Sequence, residues 1–291
     1  MRTRILGLAA IGIVLAVGMA SGALAQATDA VIDRIKAKKS ISIGYREASI
    51  PFSYIDAQGK PTGYSTDICI KVAATVKAAL GLADLEIKWV PVNLQNRIPL
   101  VANGTVDISC ESAVNTIGRQ AQVDFSSPFF ISSTRFLVKS KSGIAELADL
   151  NGKSIALPIN SVPERLIKSL VERDKLNIRI VPVRDNSEGF LALSTDRVDA
   201  FSTDDILLFG LRSKAPSPAE YEVVGKPLSY DSYGFLVQKN STVFLSLVNA
   251  TLARMAREGD LQKVYQTWFE PLGVPLSAPL ATTFQVIGIP E

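Results

Sequence analysis

The chain of 291 residues predicts an α/β protein built as two related lobes that face each other across a cleft. Three pairs of matching segments carry that expectation. Ile87-Lys-Trp-Val-Pro-Val92 is answered by Ile178-Arg-Ile-Val-Pro-Val183, and upstream Lys39-Ser-Ile-Ser-Ile43 matches Lys153-Ser-Ile-Ala-Leu157. Downstream, a Val-Asp pair opens an apolar run in each half, Val106-Asp107 and Val198-Asp199. Short β-branched runs resemble one another, but three matches in the same order point to a repeated unit. An open α/β sheet binds ligands beyond the carboxyl ends of its strands. Residues just after these strands are therefore expected to line the cleft.

In chain order, a helix is expected over 30–38 and a buried strand over 41–45. Asp56-Ala-Gln-Gly59 reads as a turn between two short extended pieces. Ile68, Ala73, Val76 and Leu80 share one face of a helix over 65–80, with Ser65 or Thr66 placed to cap it. A second strand follows over 85–92, then a short helix over 96–102 stopped by Asn103-Gly104, then a third strand over 106–109. The second lobe repeats the rhythm with strands over 153–157, 177–183 and 198–202 and helices over 163–172, 187–195 and 204–212. Strands alternating with helices at this spacing imply parallel sheets. Two stretches, 129–134 and 227–233, gather Ser without a helical period and read as crossings between lobes. A strand over 235–237 and helices over 243–257 and 260–268 then return the chain to the first lobe. The expected division is lobe 1 over 26–132 plus 233–291, discontinuous, and lobe 2 over 133–232. A lobe inserted through two extended segments is a hinge geometry.

The first 25 residues read as a secretory leader. Arg2 and Arg4 form a basic start, 5–19 is apolar, and Ala23-Leu24-Ala25 supplies the small-residue cleavage pattern before Gln26. The apolar run is shorter than the ~20 residues a spanning helix needs. An exported, periplasmic product is expected. Residues 26–291 are too long for most single cores and comfortable for two domains. The formal net charge is +3, and the leader holds two of the arginines, so nucleic acid and anionic lipid are not expected partners. Cys69 and Cys110 are the only cysteines, and export permits a disulfide between them. Two buried thiols are the alternative, because sequence alone does not place the Cα atoms within bonding reach.

Histidine is absent, which removes Ser–His–Asp and Cys–His catalysis and most transition-metal sites together. No cofactor motif is present, and the chain reads as a binder. Arg46 follows the first strand and Ser161 follows its counterpart; Arg97 and Asn186 follow the Val-Pro-Val strands; Ser112 and Asp204 follow the Val-Asp runs, with Arg119 close behind Ser112. Three guanidiniums converging on a cleft suit an anion with more than one carboxylate, since Arg offers paired donors to both oxygens. Asp204 suits an ammonium. Each residue also has a plainer reading. A lone Arg is usually solvated, Arg119 can cap its helix and pair with Asp124, and Asp204-Asp205 is an ordinary helix N-terminus. Asp107 and Asp199 read as turn or packing residues.

At these residues the chain resembles the periplasmic solute-binding proteins of ABC importers for polar amino acids (bacterial solute-binding protein family 3), above all the glutamate/aspartate-binding branch. Gly44-Tyr-Arg-Glu-Ala-Ser-Ile-Pro-Phe-Ser-Tyr54 and Gln95-Asn-Arg-Ile-Pro-Leu100 carry the branch likeness. Gly63-Tyr-Ser65, Asn103-Gly-Thr105, Arg119-Gln120, Leu150-Asn-Gly-Lys153, Asp204-Asp205 and Tyr233-Gly234 extend it over most of the chain. The resemblance implies the type II periplasmic-binding-protein fold and a monomer that closes on an amino acid and docks on a membrane permease. It also implies that Arg119 grips the α-carboxylate, helped by backbone N–H groups around Ser161-Val162. Asp204 and the Ser112 region would take the ammonium, and Arg46 and Arg97 the side-chain carboxylate. The chain departs from the branch at Leu94, Val114 and Val162, where hydroxyls are usual, and at Asn186, where His is frequent. Losing a neutral hydrogen bond costs ~0.5–1.5 kcal/mol against roughly 2–5 for truncating a buried charged partner. An acidic amino acid remains the expected ligand, with a bulkier or less polar carboxylate-bearing amino acid as the alternative. A periplasmic dehydratase-like enzyme is a second class, with Glu111 as its one cleft-near acid, and a ligand-presenting sensor is a third.

Overall fold

A computed structural model describes residues 29–290. The expected leader lies outside these residues. Two five-stranded sheets form the two lobes. In the first the order is Glu86–Pro91, Ser40–Tyr45, Ile108–Ser109, Leu236–Gln238, Val123–Phe125; in the second it is Arg179–Val183, Ser154–Pro158, Ala200–Asp204, Thr134–Lys139, Tyr221–Val224. In each lobe the first strand of the repeat lies between the second and the third, all three parallel. The switch point of each sheet is thus the carboxyl end of that first strand.

The sheets are mixed, not parallel throughout as the alternation implied. Leu236–Gln238 pairs antiparallel with both its neighbours, and Thr134–Lys139 does the same in the second lobe. Both strands begin where the chain arrives from the other lobe. It enters each sheet from the cleft side, opposite to the strands that end there.

The repeat also has a different register from the one its residues suggest. Asp107 accepts the Ser42 backbone N–H at 2.7 Å, and Asp199 accepts that of Ser154 at 2.8 Å. Ser42, not Ser40, is therefore the counterpart of Ser154. A two-residue slip keeps every side chain on its own face, so apolar matching alone does not detect it. The Asp buckle does.

Side chains alternate across the second sheet. Phe136, Val138, Ile155 and Leu157 enter one core, and Leu137, Ala156 and Phe201 enter the other. Burial on both faces is why these strands read as continuous apolar runs. Helix Tyr64–Ala79 starts at Gly63 without a side-chain cap; Thr66 instead donates to the Gly63 carbonyl at 2.7 Å. A Cβ on Gly63, at φ 131°, would lie 2.4 Å from the Phe52 carbonyl oxygen, so this chain path requires glycine.

Segments Phe130–Ser132 and Asp231–Tyr233 pair antiparallel as the two crossings. They are rooted in an aromatic cluster of the first lobe: Phe129 stacks on Phe235 at 4.1 Å, and Phe130 meets Phe52 at 4.8 Å and Tyr233 at 5.7 Å. Asp205, opening helix Asp205–Ser213 of the second lobe, accepts from Ser132 and Ser133 at 2.8 and 2.5 Å. The crossing Phe130–Ser132 is thus held at both ends.

Cys69 on helix Tyr64–Ala79 is bonded to Cys110, which follows strand Ile108–Ser109, with Cα atoms 6.3 Å apart. Of the two alternatives open to the cysteines, the bridge is the one formed. It spans 41 residues, and a loop of that length confines the unfolded chain by about 4 kcal/mol on the loop-entropy argument. A Cys69→Ala/Cys110→Ala variant is expected to lose roughly 2–4 kcal/mol of unfolding free energy in urea titrations.

Candidate functional site

The carboxyl ends of the parallel strands deliver the polar side chains to the cleft. Arg46 comes directly after strand Ser40–Tyr45, and Arg97 opens helix Arg97–Ala102 beyond strand Glu86–Pro91. Ser112 and Val114 follow strand Ile108–Ser109, and Arg119 sits on the short helix Ile117–Gln120. From the second lobe, Ser161 caps helix Val162–Arg173, Asn186 opens helix Asn186–Ser194, and Asp204 ends strand Ala200–Asp204. All nine residues singled out from the sequence line one narrow cavity between the lobes. Leu94, Pro163, Thr203 and Leu207 complete its wall. Thr203 and Leu207 flank Asp204 closely enough that the strand-end rule, applied one residue earlier and one turn later, would have found them.

The plainer readings of the arginines fail on geometry, whereas Asp204-Asp205 does stand at the N-terminus of helix Asp205–Ser213. Asp124 pairs with Lys239 at 2.9 Å, not with Arg119. Arg119 donates to the Val114 carbonyl at 2.8 Å and, across the cleft, to the Asn160 carbonyl at 3.1 Å. Asp204 makes no side-chain cap. Its carboxylate accepts from the Tyr233 hydroxyl at 2.5 Å, a partner for which the sequence holds no signal. Arg46, Arg97, Arg119 and Asp204 are each at most 7% exposed, and Glu111 is fully buried.

Glu111 lies behind the arginines. Its Oε2 accepts from Arg97 Nη1 at 2.8 Å and from Arg46 Nη1 at 3.4 Å, and its Oε1 accepts from the Ser109 hydroxyl at 3.0 Å. Burial would push this carboxyl up, but Arg97 and Arg46 outweigh it and hold it below the usual carboxylate range. The other charges are not matched. Burial, with Arg97 and Arg165 adding, pulls the Arg119 guanidinium down to about 9. Burial, with Asp231 and Asp205 adding to it, pushes Asp204 up to about 7 despite the Tyr233 hydrogen bond. Two buried atoms of residues that line this cavity have no hydrogen-bond partner, Arg97 Nε and Asp204 Oδ1. One is a donor on a cation and the other an acceptor on an anion.

A roomier cavity lies on the hinge side, between the crossings and residues 274–280. Its lining is chiefly apolar, and its one carboxylate, Asp205, is already bonded to Ser132 and Ser133. It offers no cation to an acidic solute. Among the described residues no cluster of His, Cys, Asp or Glu could hold a metal ion, and no helix is long and apolar enough to cross a membrane.

Two sheets of matching strand order, joined by paired crossings and enclosing charged residues, define a bilobed solute-binding protein of the type II periplasmic binding fold. Residues 41–271 match the bacterial extracellular solute-binding proteins, family 3, and the chain belongs to that family. It is 38% identical over 263 residues to the glutamate/aspartate import solute-binding protein of Escherichia coli (strain K12), spanning 88% of this chain and 87% of that one. It is 39% identical over 255 residues to the L-glutamate/L-aspartate-binding protein of Pseudomonas aeruginosa, spanning 86% and 84%. Among solved structures, the solute receptor for L-cysteine of Neisseria gonorrhoeae superposes with a TM-score of 0.75 at 25% identity, covering 86% of this chain and 98% of that one.

The position of Asp204 carries a pH signature. Its folded value of about 7 exceeds the ordinary 3.8, so between the two the folded protein keeps a proton that the unfolded chain has released. Stability from this group is then lost as pH rises from about 4 to about 7. Relative to an Asp204→Asn variant, the unliganded wild type should lose unfolding free energy over that range in urea titrations. A difference that stays constant with pH would contradict the assignment.

Proposed function

We propose that this protein captures an acidic amino acid, glutamate or aspartate, in the cleft between its lobes and delivers it to an ABC-type permease. The observation that carries the reading is the pair of buried, unpartnered atoms of opposite charge, Arg97 Nε and Asp204 Oδ1, on one cavity. The names of the Escherichia coli and Pseudomonas aeruginosa relatives support it. Arg119 and the N-terminus of helix Val162–Arg173 bind the α-carboxylate, where a guanidinium and the Val162 backbone N–H both favour an anion. Asp204 and Ser112 take the ammonium. Arg46 and Arg97 take the side-chain carboxylate, with Asn186 beside them. The expected leader and the family support a periplasmic location, and the same proposal takes the protein as a monomer with lobe 1 over 26–132 plus 233–291 and lobe 2 over 133–232. No turnover is proposed. Glu111, the acid singled out for an enzyme, has both oxygens engaged by Arg97, Arg46 and Ser109.

Thermal-shift assays with an amino-acid panel test the reading directly. A ligand at one hundred times its Kd adds about 2.7 kcal/mol of stability. Glutamate or aspartate should give that shift, and silence with both would reject the function. An Arg119→Ala variant should lose roughly 2–5 kcal/mol of binding to every α-amino acid, measured by calorimetry.

Closure of the lobes has its own probe. A Cβ added to Gly210, on helix Asp205–Ser213 of the second lobe, would lie 2.2 Å from the Ile50 carbonyl oxygen of the first. Replacing this glycine favours the helix by up to about 1 kcal/mol while obstructing the approach of the lobes. Gly210→Ala should therefore preserve or raise the melting temperature yet weaken ligand binding about tenfold or more, a loss of ~1.4 kcal/mol. Unchanged affinity would mean that the Ile50 loop yields.

A further inference from the structure

We propose that Glu111 is a positioning residue that makes this site demand a carboxylate, rather than an amide, at the end of the ligand side chain. The inference rests on the function proposed above and deepens it. Glu111 is fully buried and is not part of the cavity lining. It reaches a ligand only through Arg46 and Arg97.

Geometry supplies the first half of the argument. A guanidinium offers its paired fork of donors along the Nε–Nη2 edge, and that edge fits both oxygens of a carboxylate. Glu111 takes Nη1 of Arg97 at 2.8 Å and Nη1 of Arg46 at 3.4 Å from behind. The Arg97 Nε, on the other edge, is left buried and without a partner. The Ser109 hydroxyl donates to the second oxygen of Glu111 at 3.0 Å, which fixes the direction from which the carboxylate pulls. Arg97 is thereby turned so that its fork faces the ligand.

Charge supplies the second half. Arg46 and Arg97 feel each other as like charges in a buried setting, and Glu111 is the partner that lets both stay there. With Glu111 ionised, the trio retains one positive charge. One ligand carboxylate cancels it, whereas an amide leaves it buried and unmatched, the costly case. Arg119 and Asp204 meet the α-groups, which glutamate and glutamine share. The preference between the two ligands therefore reports on this trio alone.

The test compares glutamate with glutamine by calorimetry in the wild type and in Glu111→Gln. Wild type should prefer glutamate. In the variant two like charges lose their shared acceptor, so Arg46 and Arg97 no longer both keep their places and the fork turns from the ligand. The ratio of glutamate to glutamine affinity should fall by at least tenfold, whereas guanidiniums that stayed in place with their added charge would raise it. A purely structural role would lower the melting temperature and leave that ratio unchanged, so an unchanged or larger ratio overturns the proposal. Should Glu111→Gln fail to fold, Glu111→Asp carries the same test. It keeps the charge but withdraws it by one methylene, so the ratio should again fall, and an unchanged ratio again overturns the proposal. A wild type that binds neither glutamate nor aspartate instead overturns the functional reading, and this inference with it.

Discussion

Five ionisable side chains are buried around one cavity, and their charges do not cancel. Arg46, Arg97 and Arg119 stand against Glu111 and Asp204, which leaves one positive charge without a partner. Buried charges are tolerated only when paired and hydrogen-bonded. An acidic amino acid brings two carboxylates and one ammonium, hence the single negative charge that is lacking. Much of the surrounding architecture serves to hold this imbalance in place. The aromatic root of the crossings, the Asp buckles at the strand starts and the bridge from Cys69 to Cys110 all fix the strand ends from which the charges project.

Tyr233 connects the site to the hinge. It belongs to the crossing Asp231–Tyr233, stacks against Phe130 of the other crossing, and donates its hydroxyl to Asp204. Burial and the nearby Asp204 carboxylate push the Tyr233 phenol well above its ordinary range, so it remains a donor. In the proposed binding mode, a ligand ammonium arriving at Asp204 meets a carboxylate already oriented by the hinge. Any movement of the crossings shifts the group that receives the ammonium, which couples occupancy to lobe position through one side chain.

The legible part of the sequence was the part set by local rules. A strand followed by a turn puts its next polar residue at the sheet's carboxyl end, and that holds for Arg46, Arg97, Ser161, Asn186 and Asp204 alike. Helix and strand positions followed from periodicity, with boundaries moved by a residue or two. What could not be read came from contacts between distant segments. Tyr233 reaches Asp204 only because two crossings pair, and Asp124 finds Lys239 only because Val123–Phe125 and Leu236–Gln238 are neighbours in the sheet. Strand Thr134–Lys139 and the antiparallel direction of Leu236–Gln238 were missed for a related reason: alternation of strands and helices says nothing about a chain that leaves a lobe and returns. The repeat register was misjudged by two residues because apolar periodicity is blind to an even slip.

The neutral part of the cavity wall completes the picture of selection. Leu94, Val114, Val162 and Leu207 place aliphatic surface between the charged ends, where hydroxyls would offer small, unspecific hydrogen bonds. Each such bond is worth only ~0.5–1.5 kcal/mol and would help a neutral amino acid as much as an acidic one. Aliphatic walls also lower the local dielectric, which strengthens every remaining charge pairing and raises the cost of leaving one unmatched. A site with few neutral partners and unbalanced buried charge therefore gains discrimination where it forgoes contacts. Selection is a difference between ligands, and here that difference is concentrated in the arginines that Glu111 holds.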